Sequence, residues 1–186
     1  MDFTRAVVLV EGVSDQMAVE TLAARRGRDL AANGIAVIPM GGSKNIGRSL
    51  DRFGPQGLDI RVTGLCDAGE ERDFSRGLER AGMGSNLTRE GMEALGFFVC
   101  VADLEDELIR SLGAAAVERV IDDQGELESF RTFQRQPEWR TRSHEEQLRC
   151  FFGTFRGRKI RSAPLLVDAL DLSRVPRPLD GLLDAV

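Results

Sequence analysis

Glu11, Asp67 and Asp103 each close an apolar run: AVVLV leads into the glutamate, RVTGLC into the first aspartate and FFVCVA into the second. Asp15 follows Glu11 by about one helical turn, and Glu105 lies just beyond Asp103. Where such runs are strands of a parallel sheet, their carboxyl ends share one edge, and ligands bind along that edge. Carboxylates gathered there repel one another unless a cation neutralises them, and all-oxygen donors suit the hard ions Mg²⁺ or Mn²⁺. Structural duties compete for most of these acids. Asp15 can cap a helix, Asp103 can cap LEDELIR, and Glu105 begins an acidic first turn that a helix dipole favours. Glu11, between a buried strand and a glycine, has no capping duty.

Other chemistries have weaker support. MGGSKNIG does not match the P-loop pattern, yet the amides of Gly41 and Gly42, with Lys44, suit a phosphate at a helix N-terminus. Of 25 basic residues only Lys44 and Lys159 are lysines, each a compact ammonium with a tunable pKa that arginine cannot replace. His144 is the single histidine, lies in a polar helical stretch far from the acids, and supports no Ser-His-Asp arrangement. Cys66, Cys100 and Cys150 form no CxxC pair and read as buried free thiols.

Charge is unevenly distributed. The net value is -5, but residues 131–161 hold nine basic side chains against three acidic, whereas 63–130 hold sixteen acids against six arginines. The basic stretch is either a solvated helical surface or a face that attracts phosphate. Phe130, Phe133, Trp139, Phe151, Phe152 and Phe155 interleave with it at helical spacing, which favours a core over a base-stacking platform.

The elements that must position these residues follow from hydrophobic patterning. Apolar runs at 6–10, 35–40, 59–66 and 97–102 are the expected strands. Between them QMAVETLAARR, the stretch after GGSKN up to Phe53 and Gly54, 72–80 and 88–95 are expected helices. That alternation implies an α/β fold: a mostly parallel four-stranded sheet with right-handed crossovers and helices on both faces. From Leu104 on, no strand pattern recurs, and five amphipathic stretches with a closing short helix make a C-terminal helical extension. We expect a core at 1–112 with residues 113–186 packed on it. At 186 residues, with apolar runs far below the ~20 residues that span a bilayer, the chain reads as cytoplasmic, with no membrane partner.

Taken in order, EGVSD after the first strand, PMGGSKNIG after the second, GLCDAGE ending the third, ADLEDELI after the fourth and the late GRKIRSAPLLVDAL resemble the Toprim domain of OLD-family (overcoming lysogenization defect) nucleases. The resemblance implies a Toprim-like sheet and divalent-metal-dependent phosphodiester hydrolysis of DNA or RNA with Mg²⁺ or Mn²⁺. It makes Glu11 a metal ligand or general acid/base, Asp15 its acidic companion, Asp67 the first acid of a DxD pair and Glu105 the DLE glutamate. Lys159 becomes the lysine that stabilises transition-state charge. One departure stands out: Gly69 occupies the position of the second DxD acid, leaving Asp103, Glu70 and Glu71 as auxiliary candidates. Arg131, Arg135, Arg140, Arg142, Arg156 and Arg158 would hold the nucleic-acid backbone. Larger members of the family carry an ATPase domain, and no Walker motif occurs here. The expectation is a standalone Toprim protein, alone or with a separate ATPase or other protein partner. A non-catalytic or regulatory nucleic-acid-binding module and a nucleotidyl or phosphoryl transferase are the alternatives.

Overall fold

The computed structural model describes residues 4–154 and 156–186; the side chain of Arg156, one of the expected backbone contacts, lies outside the described residues, as does Phe155. Four parallel strands form one sheet in the order β2-β1-β3-β4, with β1 at Ala6–Val10, β2 at Ile35–Pro39, β3 at Arg61–Cys66 and β4 at Phe97–Val99. The parallel α/β sheet expected from the alternation of elements is therefore present.

Every side chain of β1 is buried, and the strand's two-residue period sorts them. Val7 and Leu9 point into one core, with Ile46, Leu50, Phe74 and Leu78. Val8 and Val10 point into the other, with Val19, Leu22, Leu104 and Leu166. Burial of each such side chain contributes roughly 1.5–3 kcal/mol, so a strand with no polar face is confined to the sheet centre. The first core lies under α2 (Ile46–Phe53), α3 (Glu71–Arg80) and α4 (Arg89–Ala94). The second lies under α1 (Val13–Arg25) and the helices that follow the sheet: α5 (Leu104–Leu112), α6 (Ala114–Asp123), α7 (Leu127–Gln134), α8 (His144–Gly153), α9 (Arg156–Ala169) and α10 (Arg177–Asp184).

Two glycines let large rings close these layers. A Cβ on Gly64 of β3 would come within 2.8 Å of the Phe97 ring, and one on Gly181 of α10 within 2.4 Å of Phe98. The late helices return to the start of the chain, where α9 lies along α1. Arg25 Nη1 donates to the carbonyls of Val167 and Leu170 (2.7 and 2.9 Å), holding the far end of α9 in place. Phe130, Phe133, Phe151 and Phe152 are buried among α7 and α8, so these four are core, with half-buried Trp139 packed against them. Among the described residues no helix is long and apolar enough to cross a membrane.

Candidate functional site

In this strand order the chain leaves β1 toward β2 and later returns to β1's other side as β3, so the switch point of the sheet lies between β1 and β3. Crevices at such points bind ligands in open α/β sheets. Glu11 and Asp67 are the residues that directly follow these two strands, and the Asp67 amide donates to Glu11 Oε1 across 3.3 Å. Burial raises the Glu11 pKa above the ordinary carboxyl value, and Glu70 and Asp15 add repulsion, while the Asp67 amide and Lys159 oppose them. Asp67 is pushed further, to about 8, by burial and by Glu11, Asp15 and Asp103.

Asp15 enters from the first turn of α1. Gly12 is the N-cap, and its amide donates to Asp15 Oδ2 (2.9 Å), so the carboxylate fixes the helix start while remaining in the site. Burial raises its pKa as well. Glu11, Asp15 and Asp67 line one 190 Å³ cavity together with Ser14 and with Lys159, which the first turn of α9 carries over the start of α1. Lys159 Nζ pairs with Glu105 at 2.9 Å. Burial opposes its charge, but Glu105, Asp15 and Asp67 outweigh that and hold its pKa above the usual lysine value. Glu105 is itself 5 % exposed, its pKa is raised by burial against the pull of Lys159, and its Oε1 has no hydrogen-bond partner.

The structure therefore brings Glu11, Asp15, Asp67 and Lys159 around one cavity, with Glu105 reaching it through Lys159. The auxiliary acids divide. Asp103 caps α5 through the Asp106 amide (2.8 Å) and pairs with Arg149 (2.7 Å). Glu71 is held by Arg89, whereas Glu70 is close enough to raise the Glu11 pKa. A Cβ on Gly69 would meet nothing within 4 Å.

The glycine turn has a different duty from the expected one. The amides of Gly41 and Gly42 both donate to the Glu11 carbonyl (3.0 and 3.1 Å), so they are not free to hold a phosphate. Both glycines have positive φ, 75° and 120°, the backbone shape this clamp requires. Asn45 steadies the turn by donating from Nδ2 to the Met40 carbonyl at 2.9 Å. Lys44 is exposed.

The basic stretch is also engaged. Arg131 pairs with Glu118, Arg142 with Glu146, and Arg158 and Arg161 share Glu126. Arg135 and Arg140 remain exposed. His144, exposed, stacks on Phe130 and pairs with Glu118 at 2.7 Å, and it does not line the cavity of Glu11, Asp15 and Asp67. Cys66 and Cys100 are buried free thiols whose pKa values burial raises, which leaves them inert.

Among the described residues no group of three or more His, Cys, Asp or Glu side chains is arranged to hold a metal ion. Lys159 takes one oxygen of Glu105. The donor chemistry nevertheless fits a hard divalent cation. The donors are oxygen throughout, three carboxylates with raised pKa values face one cavity, and Glu105 Oε1 is buried without a partner. Patterning missed Gly12, Ser14 and Asn45, the residues that shape the cavity and brace its turn. The small residues flanking Glu11 and the Gly-Gly-x-x-Asn turn were the available signals.

Residues 3–68 match the family model described as overcoming lysogenization defect protein-like, TOPRIM domain. The C-terminal region of the Burkholderia pseudomallei OLD protein superimposes with a TM-score of 0.76 at 20% identity, covering 98% of this chain and 97% of that one. The C-terminal region of the Xanthomonas campestris pv. campestris OLD protein gives a TM-score of 0.77 at 25% identity, covering 98% and 92%. No curated protein matches the sequence. The chain carries the Toprim fold seen in the C-terminal region of OLD proteins, with an OLD-like Toprim match across its first three strands.

Proposed function

We propose that this OLD-like Toprim chain is a divalent-metal-dependent nuclease that hydrolyses phosphodiester bonds of DNA or RNA. The observation that carries the reading is the pairing of Glu11 with Asp67 at the sheet's switch point, facing Asp15 and Lys159 across one cavity. Glu11, Asp15, Asp67 and Glu105 would hold Mg²⁺ or Mn²⁺, which supplies Lewis acidity toward water and the scissile phosphate. Glu11, whose pKa burial raises above the ordinary carboxyl value, would serve as general acid/base. Lys159, fully protonated beside Glu105, would stabilise charge growing on the phosphate oxygens. Residues 1–112 supply the acids and 113–186 the lysine. Arg135 and Arg140 keep exposed heads for backbone contact, and the paired arginines would have to leave their carboxylates to join them.

Incubation with plasmid, linear DNA and structured RNA in Mg²⁺ or Mn²⁺ tests this, with wild type compared to Glu11→Gln. Metal-dependent cleavage that disappears in the variant is expected; cleavage that survives unchanged would sink the reading. Gly69, standing where the resemblance puts a second acid, favours one alternative: a binding module without efficient catalysis. Nucleic-acid binding by wild type with no cleavage in either ion would select it.

A further inference from the structure

On the opposite side of the sheet from α9, positive side chains are arranged in two rows. Lys44, Arg48 and Arg52 recur at every fourth residue from the turn before α2 to its end, and Arg72, Arg76 and Arg80 do the same along α3. All six are exposed, since each lies half a turn from a buried core position: Ile46 and Leu50 on α2, Phe74 and Leu78 on α3. Among the described residues none of the six is in an ion pair, whereas Arg26, Arg89, Arg110, Arg149 and Arg177 all are.

The two ladders are drawn together by glycine. A Cβ on Gly77 of α3 would come within 2.9 Å of Ile46, and one on Gly47 of α2 would lie 3.7 Å from an Arg80 nitrogen. Lys44, Arg76 and Arg80 line the 590 Å³ groove between the helices, while Arg48 and Arg52 line a 750 Å³ groove on the other side of α2. The acids in the first groove have partners: Asp73 accepts from Ser43 Oγ (3.3 Å) and Glu79 from the Leu87 amide (2.9 Å).

We propose that the outer face of α2 and α3 is a track for a nucleic-acid phosphate backbone leading out of the acid-lined cavity. The proposal rests on the nuclease reading and adds the path of its substrate. Each ladder begins at the sheet edge that carries the site. Lys44 follows the turn clamped to the Glu11 carbonyl, and Arg72 follows Asp67 by one short turn. Successive rungs are about 6 Å apart along a helix, close to the axial rise of two phosphates in one strand of a duplex. No aromatic side chain is exposed on these two helices, so the contacts are to backbone charge and carry no sequence preference.

The test is fluorescence anisotropy of labelled duplex and single-stranded DNA and RNA, in EDTA, across a salt series. Two triple variants are compared with wild type: Lys44→Gln, Arg48→Gln, Arg52→Gln, and Arg72→Gln, Arg76→Gln, Arg80→Gln. A charge-matched control carries Arg110→Gln, Arg119→Gln and Arg177→Gln. Each ladder variant should bind about 10- to 100-fold more weakly at low salt and lower the salt slope by about 2–3, with the control close to wild type. Ladder variants that bind like wild type, or a control that weakens equally, would overturn the track. So would binding of wild type to phosphatidylserine vesicles but to no nucleic acid. Glu11→Gln separates this proposal from the one it rests on. If cleavage depends on Glu11 while the ladders are dispensable, the track alone fails. If binding depends on the ladders and nothing is cleaved, the nuclease reading alone fails.

Discussion

Replacing Asp67 with asparagine should make the metal-free protein more stable in mild alkali. Burial and the neighbouring carboxylates raise Asp67 from 3.8 to about 8, so the folded state favours its protonated form. A carboxyl with a raised folded pKa contributes stability that is complete below its unfolded pKa of about 4 and is lost as pH rises through about 8. At about 1.4 kcal/mol per unit the full difference is nearly 6 kcal/mol, but partial exposure and joint titration with Glu11 and Asp15 leave about 1–2 kcal/mol. Asparagine keeps the shape without the charge. In EDTA at about pH 8 the variant should melt roughly 2–8 °C above wild type, and at about pH 5 the gap should shrink to about a third. Excess Mg²⁺ should then raise the melting temperature of wild type and hardly move the variant, because the ion stabilises only the state that binds it. Scanning fluorimetry at both pH values, with and without Mg²⁺, reads all of this. A variant less stable than wild type in EDTA near pH 8, or one protected by Mg²⁺ as well as wild type, would refute the argument.

Gly69→Asp adds an acid at a position whose Cβ has open space, so stability should stay within about 0.5 kcal/mol of wild type while calorimetry shows tighter Mg²⁺ binding. Lys159→Met leaves the buried Glu105 carboxylate unpaired and should cost about 1–3 kcal/mol in urea unfolding near neutral pH. Adding Glu105→Gln should restore most of the loss. Gly181→Ala drives a methyl into the Phe98 ring and should lower stability by about 1–3 kcal/mol, read by thermal melting, with Gly153→Ala, whose Cβ meets nothing, as the neutral comparison.

Local chemistry was readable from the sequence and pairing was not. AVVLV, RVTGLC and FFV announce strands because side chains buried on both faces leave no polar alternation, and the acids that follow them necessarily share an edge once the strands are parallel. Three strand boundaries moved: β2 ends at Pro39 rather than at 40, and the other two differ for local reasons. β3 begins at Arg61 rather than at 59, where Asp59 adopts a φ of 48° outside strand geometry. β4 ends at Val99 because the Val101 amide is captured by Glu107 (2.7 Å) instead of a neighbouring strand. The duty of Gly41 and Gly42 was hidden because their acceptor, the Glu11 carbonyl, comes alongside only when β2 pairs with β1. The surplus of positive charge at 131–161 misled for a related reason. A sum over sequence cannot see that Glu118 and Glu126, which lie outside the window, fold back onto Arg131, Arg158 and Arg161. The ladder at 44–52 lies outside both summed windows, and the one at 72–80 lies inside 63–130, where sixteen acids against six arginines conceal it.

Lys159 comes from α9, and α9 is held against α1 by contacts that reach to Leu170. During synthesis the acids at 11, 15, 67 and 105 leave the ribosome well before the lysine that faces them, since chains emerge from the N-terminus. A nascent or truncated chain thus carries an electrically incomplete site, with Glu105 deprived of its counter-charge. The cavity acquires its cation only when the last third of the polypeptide has emerged and docked, so any chemistry that needs Lys159 is withheld until folding is finished.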